Sequence, residues 1–350
     1  MTFSRILIVR LSAIGDVIHT LPALHALRQA FPAAQIGWAV EDFAAAYLQG
    51  NGELDHLHII PKKRWRGSFF QHLKPEILPW VRELRSHHYE VAIDFQGLTK
   101  SGLVAAISGA PLRIGFGDAQ GAELNKLFTT KKITPKLAAA HVVERNLSLL
   151  EPLVGNSIQP PRPAIAFSDE EMAKARSILN ASGGAKVIGL NVGAGWITKR
   201  WPAEHWAQLA RLISSEIGLS SLLLWGNPAE KELAQRVLSL LPESQDYLKL
   251  SPPTSLRASG ALIAQLHAYI GGDTGATHLA AMLGVPTVGI YGASDPVRNG
   301  PYWPNSVVVQ ANGLECVPCW KRTCSAREQL ACLSSIRAET VLDALEKVLL

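Results

Sequence analysis

Two acids stand where apolar runs give way to helices, and each could do chemistry there. The first is Asp16 in "RLSAIGDVIH" (10 to 19), directly behind the strand-like run "RILIVR". A carboxylate at a helix start is a good N-cap, because it accepts from first-turn N–H groups that lack a partner. It is also placed to take a proton from a bound hydroxyl as a general base. The second acid is Asp273 in "AYIGGDTGATHLAAMLG" (268 to 284). Gly272 and Gly275 let backbone N–H groups approach a phosphate, and the dipole of the following helix favours negative charge. Thr274 offers a hydroxyl, His278 follows one turn in, and Asp273 either caps the helix or accepts from sugar hydroxyls.

Cations and a further acid accompany them. "GAGWITKRW" (193 to 201) supplies a small-residue loop at Gly195, then Lys199 and Arg200, which could neutralise a leaving phosphate. Glu230 in "WGNPAEKELA" could reach ribose hydroxyls, although glutamate in a first helical turn is favourable without any ligand. "KKRWR" presents Lys62, Lys63, Arg64 and Arg66, with Phe69 and Phe70 behind them, and a second basic pair lies at 131 to 132. The four cysteines, Cys316, Cys319, Cys324 and Cys332, fall within 17 residues after 315 without one. Such clustering points to a metal or redox site before disulfides, though the spacing matches no common zinc module.

Several chemistries are disfavoured. No Gly-x-Gly-x-x-Gly follows the first strand, and the near match at 193 to 198 has Thr198 in place of the third glycine, which argues against a nicotinamide oxidoreductase. The chain has no Asp-x-Asp for a chelated divalent cation and no Gly-x-x-x-x-Gly-Lys-Ser/Thr loop, so a diphosphate would be handled by helix ends and Lys or Arg. The net charge of +5 favours anionic partners. Without a zinc-finger spacing, basic zipper or RNA-binding signature, nucleic acid is not the expected one.

The elements that must position these residues alternate between short apolar runs and longer amphipathic stretches, the pattern of a parallel sheet flanked by helices. Strands are expected at 5–10, 35–40, 56–60, 90–95 and 112–116, and again at 186–192, 220–225, 267–271 and 286–291. Helices are expected between them, among others near 17–30, 75–87, 138–151 and 203–216. "EPLVGNSIQPPRPAIAF" carries four prolines between 152 and 163 and reads as an interdomain linker. The expected division is a first domain at 1–154, a linker at 155–164, a second domain at 165–335 and a terminal helix at 336–350. Ligands bind such folds outside the carboxyl ends of the strands. No apolar run approaches a membrane span, and Arg10 and Asp16 interrupt what would be a signal peptide, so a cytoplasmic protein is expected.

Three stretches together resemble a known family: "ILIVRLSAIGDVIHTLPALHALR", "GLNVGAGWITKRWPAEHW" and "YIGGDTGATHLAAMLGVPTVGIYG". They are similar to the bacterial lipopolysaccharide heptosyltransferases of glycosyltransferase family 9. The first stretch is nearer to heptosyltransferase I than to II, because it keeps Arg-Leu-Ser-x-x-Gly-Asp-Val-x-His-Thr-Leu-Pro. The resemblance implies the α/β GT-B architecture, two Rossmann-like doubly wound domains facing a central cleft. It implies transfer of L-glycero-D-manno-heptose from ADP-heptose to the Kdo-lipid A inner core, with inversion and no cofactor or metal required for catalysis. Asp16 then matches the catalytic base and Lys199 a phosphate-side cation. Gly272, Asp273, Thr274, Gly275 and His278 match the donor-binding segment, with Gly195 and Glu230 beside it. Lys62, Lys63, Arg64 and Arg66 suit a phosphorylated, carboxylated acceptor at an anionic membrane surface. A monomer, peripheral at the inner membrane, is expected. Related protein-modifying enzymes hold iron with four cysteines, which makes Cys316, Cys319, Cys324 and Cys332 candidates for a structural zinc or iron. Alternatives are a protein-modifying or other-sugar member, a nucleotide-sugar epimerase, and a non-catalytic ADP-sugar module.

Overall fold

Apolar runs bounded by glycine, proline and charged residues become the strands of two parallel sheets. The computed structural model describes residues 3–67, 69–117, 124–136, 140–155, 158–184, 186–326 and 328–350. The chain divides after Ala166 into two units. Unit 1 contains β1 (Arg5–Val9), β2 (Gln35–Glu41), β3 (His56–Ile60), β4 (Val91–Asp94), β5 (Leu112–Phe116) and β6 (Lys131–Ile133). Unit 2 contains β7 (Val187–Asn191), β8 (Ser220–Leu224), β9 (Leu248–Leu250), β10 (Ala268–Gly272), β11 (Thr287–Tyr291) and β12 (Ser306–Gln310). In β1, Ile6, Leu7, Ile8 and Val9 are all fully buried. A strand covered on both faces needs an apolar residue at every position, which is why these strands read as unbroken runs.

The two sheets have one topology. Unit 1 runs β3-β2-β1-β4-β5-β6, and unit 2 runs β9-β8-β7-β10-β11-β12. Every ladder is parallel, with Val9 opposite both Ala39 and Asp94, and Gly271 opposite Asn191. The winding therefore reverses between β1 and β4 and again between β7 and β10. Such a switch point opens a crevice at the carboxyl ends of the strands. Asp16 lies in the short helix after β1, Lys199 in the segment after β7 and Asp273 directly after β10, so all three follow switch-point strands at their carboxyl ends.

Three strands were not expected: β6, β9 and β12. All three are sheet edges. β6 and β9 are only three residues long, and each carries lysine, so they lack the unbroken apolar run of a central strand. "SVVVQ" in β12 did carry a legible run. The first expected helix is two, Ile14–Ile18 and Leu21–Ala30, the second with Pro22 in its first turn. The basic segment at 62 to 66 forms a short helix, Lys62–Gly67. The side chains of Phe69 and Phe70, part of the helix expected from 138, and 156–157 of the linker lie outside the described residues. The terminal helix, Ala338–Leu349, is no separate element. Val341, Leu342 and Leu345 share the unit 2 core with Trp201 and Trp206, and the Trp201 indole donates to the Ile336 carbonyl at 3.0 Å.

Candidate active site

In unit 1 the switch point is held by Arg10, the residue after β1. Its carbonyl accepts from the indole of buried Trp38 at 3.1 Å. Its guanidinium donates to the Phe95 carbonyl just beyond β4 and pairs with Asp16 Oδ1 at 2.7 Å. Asp16 is not the N-cap that its position suggests. Ala13 holds that place, and Asp16 Oδ2 reaches back from the third helical position to accept from the Ala13 N–H at 3.1 Å. This is the acidic half of a capping box. Two of the four lone-pair sites of the carboxylate are thus used, and 36 % of the side chain stays exposed, so the others can meet a ligand.

Around Asp16 the loop is fixed from beneath. Asp94, at the end of β4, accepts from the Gln96 and Gly97 N–H groups, the Ser101 hydroxyl and the Asn125 amide at 2.6–3.1 Å. Burial pushes its carboxyl up against those donors. Gln96 in turn accepts from the Leu11 N–H at 2.9 Å, tying the loop after β4 to the loop after β1.

Beside this loop lies a charged group that sequence reading missed. Glu41 ends β2 with its side chain only 3 % exposed and receives Lys62 Nζ at 2.9 Å and Lys100 Nζ at 2.7 Å. Lys100 also donates to the Ser12 hydroxyl at 3.2 Å, next to the Asp16 helix. A buried carboxylate needs a cation, and here two share it, leaving one net positive charge at the surface. The four cations of the basic run at 62 to 66 take different surroundings. Arg64 turns to Glu76, while Lys63 and Arg66 lie exposed, and only Lys62 joins Glu41.

In unit 2 the helix Gly275–Leu283 follows β10 directly. Thr274 is its N-cap, accepting from the Thr277 N–H, and is also bonded by the Asn191 amide from β7 at 3.3 Å. Asp273 therefore does not cap the helix. It lies buried, with Lys199 Nζ at 2.5 Å from one oxygen and His278 Nε2 at 3.2 Å from the other. Burial pushes its carboxyl up, but the hydrogen bond and charge of His278, then the charge of Lys199, outweigh this and hold it well below the usual carboxylate range. Lys199 Nζ also sits 4.4 Å from the Trp196 ring centroid, which favours the cation.

The glycines are small for stated reasons. A Cβ on Gly272 would fall 2.7 Å from the Lys199 carbonyl oxygen, so the two switch-point loops touch backbone to backbone. A Cβ on Gly193 would strike the Glu230 carboxylate, which crosses from its own helix and accepts from the Gly226 N–H at 2.8 Å. Gly195 faces open space.

The cysteines do not close into the expected zinc or iron set. Among the described residues no three of their Sγ atoms lie within 4.8 Å of one another. Cys332 is committed to the unit 2 core under Gly292, whereas Cys316 is exposed. Burial, then the neighbouring thiols, push the Cys332 thiol up.

The pattern of glycosyltransferase family 9 (heptosyltransferase) matches residues 77–329. Lipopolysaccharide heptosyltransferase 1 of Pseudomonas aeruginosa is 30% identical over 360 residues, covering 99% of this chain and 98% of that protein. The chain belongs to glycosyltransferase family 9. Two solved structures of the E. coli heptosyltransferase WaaC are similar across 98% of this chain and 99% of theirs. The one with ADP superposes with a TM-score of 0.75 at 28% identity, and the one with ADP-2-deoxy-2-fluoro heptose with 0.73 at 29%. The paired doubly wound units are thus the Rossmann-like domains of a GT-B glycosyltransferase.

Within this family member the structure brings Lys199, Asp273 and His278 into one ion-paired group, with Gly272 and Thr274 in the same loop pair. Asp16 stands in unit 1 with Arg10, Glu41, Lys62 and Lys100. Sequence reading gave no site role to Arg10, Glu41 or Lys100, although Arg10 follows β1, Glu41 ends β2 and Lys100 lies in the first turn of the helix Thr99–Ile107.

Gly272→Ala tests the loop contact. Because both clashing groups are backbone, the loop after β7 must move, and thermal unfolding should show a loss of about 1–3 kcal/mol. Gly195→Ala should leave stability unchanged, and equal effects from the two would contradict the geometry.

Proposed function

We propose that the chain is an inverting glycosyltransferase that moves L-glycero-D-manno-heptose from ADP-heptose to the Kdo-lipid A inner core of lipopolysaccharide. The observation that carries this reading is the full-length likeness to lipopolysaccharide heptosyltransferase 1, over a fold that keeps a partly exposed acid at one switch point and an ion-paired Lys199 at the other.

Unit 2 holds the donor. The N-terminus of Gly275–Leu283 and Lys199 receive the diphosphate, with Thr274 contributing its hydroxyl and Glu230 facing the ribose. Asp273 and His278 keep Lys199 from folding away before the donor arrives. Unit 1 holds the acceptor, with Lys62 and Lys100 on Glu41 taking its phosphate or carboxylate groups. Asp16 removes the proton from the acceptor hydroxyl as its oxygen forms the new bond to the anomeric carbon. The bond from that carbon to the diphosphate oxygen breaks on the opposite face, which inverts the centre, and ADP departs with the electron pair. Charge growing on the diphosphate is met by Lys199 and the helix end, fixed donors that need no reorganisation. Lys199 and the helix end supply the positive charge that the leaving diphosphate needs, and on that ground the reaction is read as metal-independent.

The acceptor is a membrane lipid, so the enzyme works peripherally at the cytoplasmic face of the inner membrane. Among the described residues no helix is long and apolar enough to cross a membrane. The net positive charge suits an anionic surface.

Incubation of purified protein with ADP-heptose and Kdo-lipid A should give a product heavier by one heptose in mass spectrometry. No product from well-folded wild-type protein would overturn the reading. Lys62→Glu should raise the acceptor KM by about tenfold or more, the scale of one lost charge-assisted contact, and leave the donor KM unchanged. A shift in the donor KM alone would place Lys62 on the wrong substrate.

A further inference from the structure

One cluster of metal-ligating side chains lies outside the site already described. His56 and His58 stand at alternate positions of β3, the edge strand of the unit 1 sheet, and so share one of its faces. Glu83 lies in the last turn of the helix Leu78–Ser86, and His87 is its C-cap, four residues further on. The strand pair His-x-His and the helix pair Glu-x-x-x-His meet. Glu83 Oε2 is 2.9 Å from His58 Nδ1, and Glu83 Oε1 is 2.8 Å from His87 Nε2. One ligand atom from each of the three residues lies within 4.8 Å of the others. The ring of His56 is stacked obliquely on His87 at a centroid distance of 4.0 Å.

The arrangement is built from behind as well as in front. His58 is 1 % exposed, and its second nitrogen, Nε2, is 2.6 Å from the Tyr89 hydroxyl. That hydroxyl occupies the space over Gly37 in β2, where a Cβ would fall 1.9 Å from it. A metal-bound imidazole characteristically gives its other N–H to such a partner, which fixes the ring and the tautomer. Glu83 is 53 % exposed and His87 19 %, so the front of the group is open for an ion to enter. An acid in the last turn of a helix also opposes the dipole, a cost that a cation at this point would offset.

We propose that His58, Glu83 and His87 bind one divalent transition-metal ion, zinc by the chemistry of two imidazoles and a carboxylate, with water in the fourth position. His58 ligates through Nδ1 and donates its Nε2 proton to Tyr89. His87 ligates through Nε2, and His56 flanks the site. The ion joins the edge of the sheet to the end of a helix, and its role is to fasten unit 1 rather than to take part in transfer.

The test uses full-length protein without a histidine tag, stripped by a chelator and titrated with Co²⁺ and then Zn²⁺. Wild type should show the visible bands of tetrahedral cobalt without thiolate-to-cobalt charge transfer in the near ultraviolet. Zinc should bleach these bands and raise the Tm. His87→Ala and Glu83→Gln, both at partly exposed positions, should fold by circular dichroism and bind cobalt at least about 100-fold more weakly, since loss of an outer-shell partner alone costs up to that much. Tyr89→Phe should weaken binding about tenfold. Cys316→Ser combined with Cys319→Ser should leave the spectrum unchanged. Absence of cobalt binding by wild type would overturn the proposal. So would a thiolate charge-transfer band that survives in His87→Ala, which would assign the metal to the cysteines.

Discussion

Each unit depends on one cation that pairs with an acid and bridges its switch point. In unit 1, Arg10 spans from the end of β1 to the Phe95 carbonyl beyond β4 and takes Asp16 on the way. In unit 2, Lys199 from the loop after β7 meets Asp273 from the loop after β10. The unit 2 pair is buried, and removing one partner of such a pair costs about 3–5 kcal/mol, whereas in unit 1 the buried partner is Arg10 and Asp16 stays partly exposed. The loops that carry the candidate chemistry therefore cannot drift without exposing an uncompensated ion. Trp38 under Arg10 and Gly272 against Lys199 turn that electrostatic requirement into a packing one.

The same pairing leaves the two acids with different capacities. Asp16 keeps a third of its side chain exposed with lone pairs to spare, whereas Asp273 is 4 % exposed and has a partner on each oxygen. An exposed, oriented carboxylate can take a proton from an incoming hydroxyl. A buried one held by Lys199 and His278 is suited to positioning a cation. In the proposed reaction this difference assigns acceptor chemistry to unit 1 and diphosphate handling to unit 2. Glu41 extends the logic, because a carboxylate hidden beneath Lys62 and Lys100 holds both amines in one place, where the proposed reaction uses them for the acceptor's anionic groups.

Much of this was legible because parallel strands buried on both faces declare themselves as unbroken apolar runs. β1, β7, β10 and β11 are read directly, and with them the loops that hold Asp16, Lys199 and Asp273. Edge strands β6 and β9 are too short and too charged to show the same signal. Partners were less legible than positions. Asp16 read as a cap, but its Arg10 partner lies six residues back, before the helix begins. Asp273 read as a cap too, but Thr274 next to it has the geometry, since a hydroxyl one residue closer to the helix reaches the Thr277 N–H and frees the acid to turn inward. The basic run at 62 to 66 carried no sign of which cation turns inward, because that is decided by Glu41 on a different strand. The cysteine spacing suggested a metal that the separation of the Sγ atoms does not support, while the His-x-His and Glu-x-x-x-His pairs, 25 residues apart for His58 and Glu83, meet only once β3 lies beside the helix.

The division of labour between the two acids is open to one direct measurement: calorimetric binding of ADP-heptose, alongside turnover, for Asp16→Asn and Asp273→Asn. Asp16→Asn should keep wild-type donor affinity and lose turnover by at least about 100-fold, the lower range for loss of a general base. Asp273→Asn should weaken donor binding. Full turnover in Asp16→Asn, or donor binding lost there and retained in Asp273→Asn, would contradict the assignment.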